Sequence, residues 1–191
     1  MSQPLAASKK VMKNYLSELL TDDAVEQEET KHKPANKVST HVVENARLET
    51  LLKRNKEPYK YLFASPRGTV ESNEKPIEAA TREIFKQVGV TIQDWKFCGT
   101  MTETSPKSED CIHHVYIAQV GHFPLPTCDE GTLEWMLFEN LTNIPTPTTD
   151  WYIYKYIFKN QQFAFNATFD ENQKLIEMKE SLEGKLVYGK K

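Results

Sequence analysis

The chain has 191 residues, with 24 Lys and Arg against 27 Asp and Glu, and a net charge of −3 at neutral pH. A pI of about 6.0 and a mean hydropathy of −0.60 argue against a general basic surface for nucleic acid. No apolar run approaches the ~20 residues that span a bilayer, and residues 1–20 mix Lys and Glu with apolar positions, unlike a secretory leader. A cytoplasmic protein without membrane contact is expected.

In chain order, Leu5 to Leu20 reads as an amphipathic helix with Val11, Met12, Tyr15, Leu16, Leu19 and Leu20 on one side. Thr21 to Lys37 is polar and charged and reads as a linker. The expected organisation is therefore an N-terminal extension, 1–37, and one folded domain, 38–191. The extension would dock on its own domain, form a homodimer or bind a protein partner. A strand is expected over about 40–54, followed by a basic stretch with Lys53, Arg54, Lys56, Lys60 and Arg67 that could meet phosphates.

Glu71 to Glu74 is a polar turn, and Pro76 suits the first position of a helix. That helix should run from Pro76 to Val88, with Ile77, Ala80, Ile84 and Val88 facing a core. Gly89 stands where a helix ends in a left-handed residue. Arg82, Glu83, Lys86 and Gln87 share another side of the helix, and Glu78, one turn before Arg82, is a candidate partner for it. Strands follow at about 95–104, 111–120 and 132–138, then a helix near 150–159 and a terminal hairpin. His113 and His114 are neighbours on a strand, so they point to opposite faces and cannot chelate one ion together. Cys98, Cys111 and Cys128 are odd in number and lack a C-x-x-C spacing, which speaks against a disulfide framework or structural zinc. They read as buried thiols.

The spacing Gly68, five residues, Glu74, seven residues, Arg82-Glu83-Ile84, then Gly89-Val90 resembles the box of the Nudix hydrolases, G-x5-E-x7-R-E-U-x-E-E-x-G-U. Lys86 and Gln87 stand where that box has its Glu-Glu pair. The resemblance implies an α/β/α sandwich around a mixed sheet and a pyrophosphohydrolase acting on nucleoside diphosphates linked to another group. It implies Mg²⁺ or Mn²⁺ as cofactor, with Gly68, Glu83, Gln87 and Glu130 as metal-site candidates. Arg82 would orient Glu83, and Glu74 would support them. Replacing two carboxylates by an ammonium and an amide implies weak catalysis, or a nucleotide-binding or regulatory module that has lost it.

The flanks, from about residue 38 to 180, resemble the branch that cleaves oxidised purine nucleoside triphosphates. Arg67 takes the place of a glycine and is a candidate phosphate ligand, as is Arg54. Glu130, in the Cys128–Gly131 turn, reads either as a further ligand or base, or as a solvated acid. Asp150 reads either as a reader of the base edge or as the N-cap of a helix starting at Trp151. Pro147 occupies the position of the branch's stacking tryptophan. Trp151, Tyr152, Tyr154, Tyr156 and Phe158 read as core and helix-face aromatics.

Overall fold

The computed structural model describes residues 34–44, 47–57 and 59–190. The Leu5–Leu20 helix and most of the linker fall outside the described residues. β1 (Ala35–Glu44) starts within the stretch expected to be linker, so Ala35, Asn36 and Lys37 are strand. β1 and β6 (Ser108–Val120) pair in parallel, from Ala35 opposite Cys111 to Glu44 opposite Val120.

The expected single strand over 40–54 is two. β1 reverses into β2 (Leu48–Arg54), with Glu44 opposite Leu48 and the Arg47 amide bonded to the Glu44 carbonyl at 2.9 Å. β3 (Phe63–Ala64) and β4 (Arg67–Thr69) follow, then α1 (Pro76–Val88). β5 (Lys96–Ser105) and β6 form a hairpin, and β7 (Gly131–Leu137) leads to α2 (Thr148–Phe158). The chain closes with β8 (Phe163–Phe169), β9 (Leu175–Glu180) and a third strand not foreseen, β10 (Lys185–Tyr188). The sheet order is β10-β9-β8-β5-β6-β1-β2-β3, with β4 added to β1 and β7 to β2. β1–β6 and β5–β8 are parallel and the remaining pairs antiparallel, so the sheet is mixed as expected.

Strand alternation assigns each helix a face. On β6, Tyr116 and Ala118 belong to clusters that include Ala80, Ile84 and Val88 of α1. Val115 turns the other way, to Ile153 and Ile157 of α2. On β2, Leu52 packs with Ile84, and Leu51 with Tyr154. The result is a helix on each side of one sheet.

α1 has the expected bounds. Glu78 caps it by accepting from the Lys75 amide at 2.9 Å, so its carboxylate serves the helix start and not Arg82. Gly89 ends the helix at φ 77°, with its amide bonded to the Phe85 carbonyl. Ala80, Ile84 and Val88 are buried as expected, whereas Ile77 is 40% exposed in a groove beside Phe85 and Trp95; Ala79 takes its place in the core. α2 begins at Thr148 with Pro147 at the cap position, so Asp150 lies in the first turn and is not the N-cap. Cys98 and Cys111 are buried, but Cys128 is only half-buried.

Candidate active site

β4, the turn after it and α1 bring the box together beside β1. Arg82 is the hub. Its Nε and Nη2 donate to the two oxygens of Glu74 at 2.8 Å each, the two-pronged geometry in which a guanidinium binds a carboxylate most strongly. Nη2 also reaches the Thr69 carbonyl at 2.9 Å, and Nη1 donates to Glu83 Oε1. The Arg82 bond holds the Glu74 carboxyl down at about 2. Arg82 thus orients Glu83, and Glu74 anchors Arg82.

Glu83 is buried against Gly68. A Cβ at position 68 would run into the Glu83 side chain, so glycine is required by this approach. The second oxygen of Glu83 accepts from Gln87 Nε2 at 3.2 Å. The same Gln87 nitrogen donates to the Arg67 carbonyl at 2.8 Å, while Gln87 Oε1 is buried without a hydrogen-bond partner. The carbonyl brought to the box helix is that of Arg67, one residue before Gly68. Lys86 Nζ lies 4.0 Å from Glu83 Oε2, and its side chain is 65% exposed.

A hard-cation site needs a particular set of donors. Mg²⁺ and Mn²⁺ favour oxygen donors, with one or two carboxylates. Here Glu83 is the one box carboxylate at that place, and both its oxygens already accept from nitrogen donors. An amide nitrogen bridges the carboxylate and the carbonyl, and an ammonium stands nearby. No group of three His, Cys, Asp or Glu side chains placed to hold a metal ion occurs among the described residues. As the side chains stand, they do not fit the cation.

A cavity of about 610 Å³ opens over the box, a size suited to a nucleotide-scale ligand. Gly68, Glu83, Lys86, Arg67, Arg54 and Glu130 line it; Arg82, Gln87 and Asp150 stand behind the wall. Arg54 and Glu130 face each other at 3.5 Å. Arg67 Nη2 donates to Asp150 Oδ2 at 2.5 Å, so two of the expected ligand-binding residues are paired with each other. The floor comes from the sheet: Lys37, Glu103, Cys111 and His113. His113 is buried with Nε2 3.2 Å from Glu103, while His114 points away and meets Asn36 at 3.1 Å. Burial alone would raise the Glu103 carboxyl; the His113 hydrogen bond and charge, with Arg67 and Lys37, outweigh it and hold it below its usual range. Burial pushes the Cys111 thiol up, which makes it a poor nucleophile.

Lys37 and Glu103 were not foreseen as site residues, because Lys37 joins the box only through the β1–β4 pairing, opposite Thr69, and Glu103 through the β5–β6 and β1–β6 pairings. Tyr154 is fully buried and Phe158 lies at the surface, in keeping with core and helix-face roles. A second groove of about 520 Å³, on the outer side of α1 by Ile77, Phe85 and Trp95, holds none of these groups except Arg82.

A family model, the NUDIX domain, matches residues 35–160. The chain belongs to the Nudix family. The Nudix fold is shared with the MutT protein of Bacillus halodurans, 17% identical over 78% of this chain and 98% of that one, with a TM-score of 0.68. A MutT Nudix hydrolase from Burkholderia pseudomallei is 20% identical, covers 65% of this chain and 98% of its own, and has a TM-score of 0.57. The Nudix domain of Shewanella oneidensis NrtR, solved with ADP-ribose, is 12% identical over 67% and 88% of the two chains, with a TM-score of 0.59. At these identities the likeness is one of fold. Nudix proteins in general use divalent cations such as Mg²⁺ or Mn²⁺, and the box is where this chain departs from that set of donors.

Proposed function

We propose that the cavity binds a nucleoside di- or triphosphate and that pyrophosphohydrolase activity, the chemistry of the Nudix family, is weak in this chain. The observation that carries this reading is the Gln87 amide nitrogen between the Arg67 carbonyl and Glu83. A bound cation stabilises a phosphoryl transition state by several kcal/mol. Weakening that contribution by roughly 4–7 kcal/mol lowers the rate by about 10³–10⁵. Mg²⁺ or Mn²⁺, the cation of the family, would be held poorly here, with Glu83, Glu130 and the Gly68 backbone left to offer it oxygen.

The residues divide the work as follows. Arg54 and Arg67 meet the phosphates from the cavity wall. Glu130, whose carboxylate meets Arg54 at 3.5 Å, takes a proton from an attacking water. Glu83, locked between Arg82 and Gln87, shapes the phosphate end. Lys86 favours a second reading, a Nudix module that binds nucleotide or serves regulation without hydrolysis: its ammonium, 4.0 Å from Glu83, brings positive charge where the family has a carboxylate. The oxidised-purine branch is one candidate ligand class. A cytoplasmic location, and a homodimer or protein partner reached through residues 1–37, complete the proposal and rest on sequence.

Phosphate and pyrophosphate release from a nucleotide panel with Mg²⁺ or Mn²⁺ tests it. Slow turnover that disappears in Glu83→Gln supports a weak enzyme. Binding without turnover supports the module, and neither binding nor turnover would sink both readings.

A further inference from the structure

The Arg67–Asp150 pair is better suited to exchange than to structural support. It spans from β4 to the first turn of α2, and its side chains are 13% and 2% exposed. A buried ion pair compensates its desolvation only when the remaining donors and acceptors are also satisfied. Here they are not. One terminal nitrogen of Arg67 meets one oxygen of Asp150; Nε makes only a long 3.4 Å contact to the Ser65 carbonyl, and Nη1 donates to nothing within the described residues. Asp150 Oδ1 is buried without a hydrogen-bond partner. The contact therefore uses one prong of a side chain built for two.

The same guanidinium lies in the wall of the cavity, beside Gly68, Glu83 and Lys86. The Tyr59 ring stands 5.7 Å from it and limits how it can move. A phosphate group at Gly68 offers several oxygens, and so two parallel bonds where Asp150 supplies one.

We propose that Arg67 is a phosphate-binding residue held in reserve by Asp150. An anionic ligand entering at Gly68 draws the guanidinium away, and Asp150 acts as a positioning residue that sets how much binding energy the transfer costs. This rests on the reading of the cavity as a polyphosphate site. Its distinguishing consequence is a sign: removing the Asp150 charge tightens anion binding, although it removes a buried ion pair.

The test is calorimetric titration of tripolyphosphate into the full-length chain, in Mg²⁺ buffer and in EDTA, comparing the native protein with Asp150→Asn, Arg67→Gln and the double variant. The expected results are about tenfold tighter binding in Asp150→Asn, about tenfold weaker binding in Arg67→Gln, and a double variant that behaves like Arg67→Gln, each step on the scale of one charge-assisted hydrogen bond. Should Asp150→Asn lose its circular dichroism signal, Asp150→Ser carries the same expectation. Native binding that Asp150→Asn and Asp150→Ser leave unchanged or weaken overturns the exchange alone. Absence of tripolyphosphate and nucleotide binding in every variant overturns the polyphosphate site with it.

Discussion

Glu74 and Arg82 show how a single pair can set the frame of a site. The carboxyl of Glu74 sits at about 2, below the ~4.3 of an unfolded chain. A depressed carboxyl contributes stability that is present above the unfolded value and lost as pH falls toward the folded one. Glu74→Gln should therefore lower the urea midpoint at pH 7, with the deficit shrinking as pH falls from about 4.5 to about 2. An equal deficit at both ends would mean that the pair contributes packing and not charge. A second residue-scale case lies in the core: His41 Nδ1 and Glu49 Oε1 are 2.6 Å apart and nearly without solvent. Glu49→Ala leaves a buried imidazole without its partner and should cost about 3–5 kcal/mol in urea unfolding, while His41→Phe/Glu49→Leu recovers most of it. A loss under about 1 kcal/mol for Glu49→Ala would contradict this. Nothing local announces this pair, since residues eight apart meet only through the β1–β2 reversal.

At the scale of elements, legibility followed local signals. The bounds of α1 could be read because Pro76 and Gly89 mark both ends with a backbone requirement. Gly89 holds φ 77°, so Gly89→Ala should cost about 1 kcal/mol by thermal or urea unfolding. No change would mean the last turn unwinds freely. The β1–β2 turn was missed because HVVENARLETLL has neither Gly nor Pro to break an extended pattern. Ile77 follows the helical period but faces an open groove beside Phe85 and Trp95, so periodicity alone misplaces it. Asp150 has the better capping side chain, but the cap position falls on Pro147, three residues earlier, freeing the carboxylate for Arg67. The pairing of Arg67 with Asp150, and the turn of the Arg67 carbonyl toward Gln87, are contacts between distant segments with no signature in either.

For the molecule as a whole, the described core clusters are all drawn from residues between Val38 and Tyr188. A chain lacking residues 1–33 keeps every residue of the described core and should retain a cooperative urea transition; loss of cooperativity would assign that segment a part in the fold. The same truncation tests the dimer or partner role proposed for it, by sedimentation velocity against the full chain. Fold and chemistry separate at this scale. A Nudix sheet with a helix on each face is built by apolar alternation, whereas the chemistry of the box depends on polar side chains of α1: Lys86 is exposed, and Gln87, though buried, is held by hydrogen bonds to Arg67 and Glu83 and not by apolar packing.

Lys86 and Gln87 are proposed to limit catalysis in this chain. The most direct measurement is turnover of a nucleoside triphosphate with Mg²⁺ or Mn²⁺ by the native chain and by Lys86→Glu/Gln87→Glu, alongside Mn²⁺ affinity by calorimetry. The expected result is a rise of about 10³ or more in rate together with tighter Mn²⁺ binding in the double variant. Equal turnover in the two proteins, or a folded double variant that binds Mn²⁺ no better than the native chain, would contradict the account.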